Sequence, residues 1–455
     1  MGLVEAVKEY TSKRPKSKAL YERAIKVIPG GASHGLRLWG LPSVGGFPYY
    51  VARGKGARVW DVDGHEYIDY WQGNWANILG HGNKRVTEAI RKALLLGPHL
   101  GLVSEAEVKL AELIVELVPN VEQLRFGASG TEGNMYAVRI ARAFTKRKTI
   151  IKMEGGWHGP STDLCWAIHM PFTNETGLPI PDSAGLPDTM NVITIPFNEP
   201  DIARQVIREY AKDLAGVILE PLLGAGGVVP AELGYLDVLR EETENVGACL
   251  IFDEIVTGFN LALGGAQEYF GVIPDLVILG KTMGGGIHIS AVGGPEEIMQ
   301  VANPLKPGEK YEKVGMGGGT FSSHLMSLLA GYETLSILKE ERDKIYPQLQ
   351  RFGDRMRSII REEIISNTKL ILKCTGVVGA IGLHLLMKDV PPVNAKNVEG
   401  NIHKEQQQEY FVRMLNQGIH TMHGLGRLCT EHGGSEIEKT IQAIEIAIKA
   451  IEKSS

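Results

Sequence analysis

Apolar and polar positions change their rhythm twice along this chain. Residues 17–28 space their apolar side chains as a helix, which Pro29-Gly30-Gly31 stops. Residues 59–70 alternate as two short strands around Asp63-Gly64, a dipeptide suited to a tight turn. From about residue 105 the rhythm becomes strand, loop, helix, repeated. Short apolar runs at 123–126, 149–152, 217–219, 250–252 and 276–279 alternate with longer amphipathic stretches. Such alternation predicts an α/β fold with a mostly parallel sheet covered by helices on both faces. Beyond about residue 335, helical runs surround a short glycine-bearing strand region at 376–386. Ile437, Ile441, Ile444, Ile448 and Ile451 then form the apolar stripe of a last helix, with Ser435 and Glu438 as its expected capping box. The expected division is an N-terminal segment 1–75, a large domain 76–334 and a C-terminal segment 335–455. Both ends of the chain contribute to one smaller α+β domain.

Composition narrows the function classes. A net charge of −5 and the lack of any dense Lys/Arg patch argue against a nucleic-acid surface; Lys146-Arg147-Lys148 is the one short basic run. The most apolar stretch, 216–230, carries Glu220 and four glycines, so no membrane span is expected. The first residues lack the charged-then-apolar layout of a signal peptide. Cys165, Cys249, Cys374 and Cys429 show no C-x-x-C spacing and read as free thiols of a cytoplasmic protein. His420 and His423 have H-x-x-H spacing without an acidic or cysteine ligand close by, so no metal is assigned to them.

Four features fall at the ends of expected strands, where an open α/β sheet places its ligands. Ser129-Gly130-Thr131 precedes a helix, so its backbone N–H groups and the positive end of the dipole could meet an anion; a plain helix cap reads the same way. Trp157-His158-Gly159 could offer an aromatic face to a planar heterocycle, or simply be a core aromatic beside a bonded histidine. The apolar run 250–252 ends in Asp253-Glu254, and such acids need partners. An aspartate there could keep a heteroaromatic nitrogen protonated; a metal ligand or a helix start reads equally well. Lys281 follows an apolar strand and precedes Gly284-Gly285-Gly286, a setting that lowers an amine's pKa and favours imine formation. A P-loop has the opposite order of glycines and lysine, and no G-x-G-x-x-G fingerprint is present. A nucleotide-binding α/β protein is therefore the distant alternative.

The set S-G-T-E (129–132), W-H-G (157–159), E-P (220–221), F-D-E-I-V-T-G-F (252–259), L-G-K-T-M-G-G-G (279–286) and G-G-T-F-S (318–322) resembles the class III aminotransferases of pyridoxal 5′-phosphate (PLP) fold type I. P-G-G-A-S-H-G-L-R (29–37), A-R-G-K-G-A (52–57) and D-V-D-G-H-E-Y-I-D-Y (61–70) look most like the glutamate-1-semialdehyde aminomutase subgroup. The resemblance implies that Lys281 forms the imine with PLP and shuttles a proton, and that Asp253 pairs with the pyridinium nitrogen. It also implies that Trp157 stacks on the ring beside His158, that Ile255 packs on the other face, and that Glu220 orients the polar network. Ser129, Gly130 and Thr131 would bind the phosphate. Thr320 would reach the phosphate of a neighbouring subunit, which makes the active unit at least a homodimer. Arg37 would hold a substrate carboxylate and Trp75 would wall the substrate pocket. The chain departs from the pattern with His324 where asparagine is usual, and with no acidic residue in 422–426. The implied activity is ping-pong transamination between a small amine or amino acid and a keto acid or aldehyde. An aminomutase or an amino-acid racemase on the same scaffold are the alternatives.

Overall fold

The computed structural model describes residues 2–187, 191–317 and 319–454. At its centre lies a seven-stranded sheet. Across it run Gln123–Gly127, Ser290–Gly294, Leu276–Leu279, Cys249–Glu254, Leu214–Leu219, Thr149–Met153 and Val192–Ile195. Every neighbouring pair is parallel except those made by Ser290–Gly294, which runs antiparallel to both its neighbours. The strands Thr149–Met153, Leu214–Leu219, Cys249–Glu254 and Leu276–Leu279 are buried throughout, because helices cover both faces. Two strands are not marked by the sequence pattern. Ser290–Gly294 ends in two glycines, and Val192–Ile195 is only four residues long.

The parallel strands all end on one edge of the sheet. Gly127, Met153, Leu219, Glu254 and Leu279 stop there, and the register Asp253↔Ile278 and Glu254↔Leu279 sets the acidic pair beside the approach to Lys281. Every candidate motif of the central region follows one of these ends.

The two ends of the chain meet in a second sheet. Val51–Lys55, Arg58–Asp61 and Glu66–Asp69 form an antiparallel run, and Ile419–His420 pairs parallel to its last strand. Two helices at the start, Gly2–Ser12 and Pro15–Ala24, replace the single helix expected at 17–28. The second stops at Ala24, and Lys26, Val27 and Ile28 close back on Arg23 and Ala24 as turns before Pro29. The first buries Ala6, Val7 and Tyr10 against the helix Lys404–Asn416. The expected strand region 376–386 is a hairpin of Ile371–Thr375 and Ala380–Leu386, with Gly376 (φ 106°) in the connection.

In the last helix, Gly434–Ser454, the isoleucine stripe is buried as expected. The capping box is not where the sequence suggested. Ser435 already lies inside the helix, and Glu436, not Glu438, accepts the Gly433 N–H at 3.1 Å and the Ser435 hydroxyl at 3.0 Å. Glu438 instead faces Arg355 at 3.8 Å. No helix among the described residues is long and apolar enough to cross a membrane.

Candidate active site

Gly280 carries the chain in extended form from the strand Leu276–Leu279 to Lys281, whose backbone is left-handed (φ 44°). Lysine rarely adopts this conformation, and such strain gathers at functional positions. Lys281 lines a cavity of about 310 Å³ together with Trp75, Trp157, Glu220, Val256 and His423. Desolvation holds its amine below the ordinary lysine value, against the opposing pull of Glu220 and Asp253. Glu220 is pushed upward by burial and by Asp253. Its two oxygens accept N–H bonds from Trp157 at 2.9 Å and Gly224 at 3.3 Å, which draws the Trp157 backbone onto the cavity wall.

Asp253, 2% exposed, ends the strand Cys249–Glu254. Asn134 Nδ2 and His158 Nδ1 each lie 2.8 Å from its Oδ2, and the Ile255 N–H donates to Oδ1 at 3.1 Å. An ionised carboxylate only accepts, so His158 carries its proton on Nδ1. Burial lowers the His158 pKa, outweighing Asp253, and favours the neutral ring. Asp253 has about four acceptor positions, of which these bonds fill three. Its neighbour has another task. Glu254 Oε2 accepts from Ala266 N–H at 2.5 Å and from Thr257 Oγ1 at 3.0 Å, and burial raises its carboxyl pKa to about 7.

Ser129 caps the helix Gly130–Thr145 by accepting the Glu132 N–H at 3.3 Å. The N–H groups of Gly130 and Thr131 find no acceptor among the described residues, as expected of a helix start. Glycines let the surrounding loops close in. A Cβ on Gly159 (φ 81°) would lie 2.2 Å from Thr131 Oγ1. Ile255 Cδ1 sits where a Cβ on Gly280 or Gly130 would come within 2.7 Å or 3.0 Å of it. Ile255 is therefore pressed between the start of the helix and the approach to Lys281.

Trp75 closes the cavity from an unusual backbone. Gln72, Gly73, Asn74 and Trp75 are all left-handed (φ 45°, 63°, 62° and 67°), forming one complete left-handed turn. Each non-glycine residue there costs about 1–2 kcal/mol. Asp69 restrains the turn by accepting the N–H groups of Trp71 at 2.9 Å and Gln72 at 3.2 Å, and His81 Nε2 fixes the same carboxylate at 2.7 Å.

The structure thus gathers Ser129, Gly130, Thr131, Trp157, His158, Glu220, Asp253, Ile255, Lys281 and Trp75 at one edge of the sheet. It does not place Arg37 or Thr320 on the cavity wall. Arg37 is exposed on the short turn Gly35–Leu38, and its neighbours His34, Gly35 and Leu36 line the cavity instead. Thr320 is exposed in the segment before the helix Leu325–Glu340, and Gly318 of the same motif lies outside the described residues.

Four site residues escape sequence reasoning: Asn134, His34, His169 and His423. Asn134 stands four residues after Gly130, on the inward face of a helix expected from its cap. The three histidines come from segments far apart in the chain, and no local signal unites them. The H-x-x-H spacing pairs His423 with His420, yet the two diverge in the fold. His420 bonds Tyr49 Oη at 2.8 Å inside an aromatic cluster, whereas His423 faces Lys281, and burial with that neighbouring amine lowers its pKa to about 4.

This arrangement fits PLP. It offers free N–H groups for a phosphate at a helix start, a buried carboxylate with an acceptor position left for a protonated ring nitrogen, and a desolvated lysine amine between them. The sequence model of class-III aminotransferases matches residues 42–424. Glutamate-1-semialdehyde 2,1-aminomutase 2 of Bacillus licheniformis is 38% identical over 96% of this chain and 99% of its own length. The glutamate-1-semialdehyde 2,1-aminomutase of Aquifex aeolicus is 36% identical over 96% of this chain and 100% of its own length. The crystal structure of an omega-transaminase from Sphaerobacter thermophilus superposes with a TM-score of 0.85 at 31% identity, covering 96% of this chain and 98% of that one. With the motifs, the sheet-edge site and these matches in agreement, the chain belongs to the class-III aminotransferases and is a PLP-dependent enzyme of fold type I.

Proposed function

We propose that this enzyme transfers an amino group between a small amine or amino acid and a keto acid or aldehyde, with Lys281 as its working base. The observation that carries the reading is the desolvated Lys281 amine, set in one cavity with Glu220 and Trp157 and backed by the Asn134–His158–Asp253 cluster. Lys281 would hold the cofactor through Nζ, Gly130 and Thr131 would hold its phosphate, and Asp253 its ring nitrogen. Bound there, PLP supplies an electron sink that makes the proton on an amine-bearing carbon removable. The lowered Lys281 pKa favours the neutral amine that accepts this proton and later returns it. His158 and Asn134 keep the Asp253 carboxylate aimed. Trp75 and Trp157 narrow the access of water to Lys281.

A second reading, intramolecular transfer as in the aminomutases, is favoured by the names of the relatives at 35–38% identity. Among the described residues, the wall around Lys281 presents His34, His169 and His423 and no guanidinium, which supports the broader transaminase reading. We further propose that the working unit is a homodimer in the cytoplasm. Exposed Leu95, Leu102, Val103 and Phe321 support a second copy covering the face that carries Thr320, and four buried free thiols support a reducing compartment.

The test has two arms. Borohydride reduction followed by mass spectrometry should put the cofactor on Lys281, and Lys281→Ala should lose both adduct and turnover. Glutamate-1-semialdehyde without acceptor, and a panel of amines with pyruvate, should then be assayed side by side. Turnover of glutamate-1-semialdehyde alone would replace transamination by the aminomutase reading.

A further inference from the structure

Behind the Lys281 cavity lies a second one of about 350 Å³. Gly35, Leu36, Ala225, Met422 and His423 line both, so one partition separates the two chambers. The far chamber has aromatic and aliphatic walls, including Trp39, Trp71, Val398, Ile402 and Phe411. Four of its polar side chains are engaged by the protein, while Thr421 Oγ1 and Trp39 Nε1 are buried without a partner among the described residues. Gln407 accepts the Leu385 N–H at 2.9 Å, and Gln408 donates to Trp39 O at 3.0 Å. His384 Nε2 is 2.9 Å from Gly227 O, and Glu399 accepts the Met170 N–H at 3.3 Å. Among the described residues, no lysine or arginine lines it. The chamber therefore has little with which to recognise an anionic group and much with which to bury an apolar one.

The partition is built to be passed. His423 sits on a left-handed backbone (φ 51°), and Gly35, Gly224 and Ala225 put little side-chain bulk near it. Met422 beside it is an unbranched, adaptable side chain.

We propose that the far chamber is a subsite for the apolar substituent of the amino substrate, so that the enzyme takes amines or amino acids bearing an aryl or branched alkyl group two or three carbons from the reacting carbon. This rests on the amino-transfer reading. The reacting carbon stays beside Lys281, and the tail passes His423 and Met422 into the chamber walled by Ile402 and Phe411.

The holoenzyme should be assayed with 2-aminobutane and 4-phenyl-2-aminobutane, each with pyruvate. The wild type should favour the phenyl-bearing amine in kcat/KM by at least about 10-fold, the discrimination one well-filled apolar pocket supplies. Ile402→Phe, which fills the far chamber, should bring that ratio close to one; Phe411→Trp repeats the test should the first variant fail to fold. A ratio near one in the wild type, or one that persists in both variants, overturns the subsite. Binding of the unreactive 4-phenyl-2-butanone, read by quenching of tryptophan fluorescence, separates the two claims. If neither amine reacts but the ketone binds wild type and not Ile402→Phe, amino transfer falls and the subsite stands. If the ketone does not bind either, the subsite falls.

Discussion

Asn134→Ala is the sharpest probe of how the site is wired. Asn134 Nδ2 lies 2.8 Å from Asp253 Oδ2 and 3.1 Å from Gly130 O, so one amide ties the strand-end carboxylate to the helix start that would hold the phosphate. The side chain is 1% exposed. Asp253 keeps His158 Nδ1 at 2.8 Å and the Ile255 N–H at 3.1 Å, so the carboxylate stays but its aim loosens. A hydrogen bond to a charged group is worth about 1.5–3 kcal/mol, or about 10- to 150-fold in an equilibrium or rate constant. That loss should appear in the PLP dissociation constant, from a cofactor titration of the apoprotein, and in kcat/KM at saturating PLP. Thermal unfolding of the apoprotein measures the purely structural part. Since Asn134 and His158 share Oδ2, Asn134→Ala with His158→Phe should show a combined effect different from the sum of the two. A variant with PLP affinity and kcat/KM both within about 3-fold of wild type, and a loss confined to apoprotein stability, would falsify the proposed role.

Other consequences can be checked directly. Gly280→Ala puts a methyl about 2.7 Å from Ile255 Cδ1 and should lower kcat/KM roughly 10-fold, through about 1–3 kcal/mol of overpacking; adding Ile255→Ala should restore part of it, and no rescue would place the defect elsewhere. Arg14 is buried, donates to Tyr67 Oη at 2.8 Å and lies 3.6 Å from Asp61. Arg14→Met removes a buried guanidinium from beside Asp61, which keeps the Tyr67 hydroxyl at 2.7 Å and the His65 N–H at 2.8 Å, and should cost about 1.5–3 kcal/mol, read as a lower urea midpoint. Burial lowers the pKa values of His384, His420 and His432 to about 4, below the ordinary 6.5. The unfolded chain then binds these protons first as pH falls. Stability should be full above about pH 6.5 and decline down to about pH 4, by up to about 1.4 kcal/mol per pH unit for each ring. A melting temperature that stays flat across that window would contradict this.

The sheet and the heart of the site are legible in the sequence for one physical reason. Strands buried on both faces must be continuous apolar runs, and the residues that break them, Asp253-Glu254 and Gly280-Lys281, therefore stand out. The same reasoning could not separate the two acids, because only the packed loops show Glu254 fastening Ala266 while Asp253 meets His158. Ser290–Gly294 stayed hidden because glycines carry no strand pattern, although pairing on both sides satisfies its backbone. The cavity wall was the least legible part. His34, His169 and His423 lie hundreds of residues apart and converge only through the tertiary fold. The position of Arg37 depends on a short turn whose direction no local rule sets.

The turn Gln72–Trp75 has an evolutionary corollary. An L-chain coils in the mirror sense only while something holds it, so the width of the pocket at Trp75 is maintained at the expense of the resting stability of that loop. Glycine at Gln72 would ease the backbone and let the indole drift outward, giving a sturdier protein with a slacker pocket. Selection for durability and selection for discrimination thus pull this one coil in opposite directions.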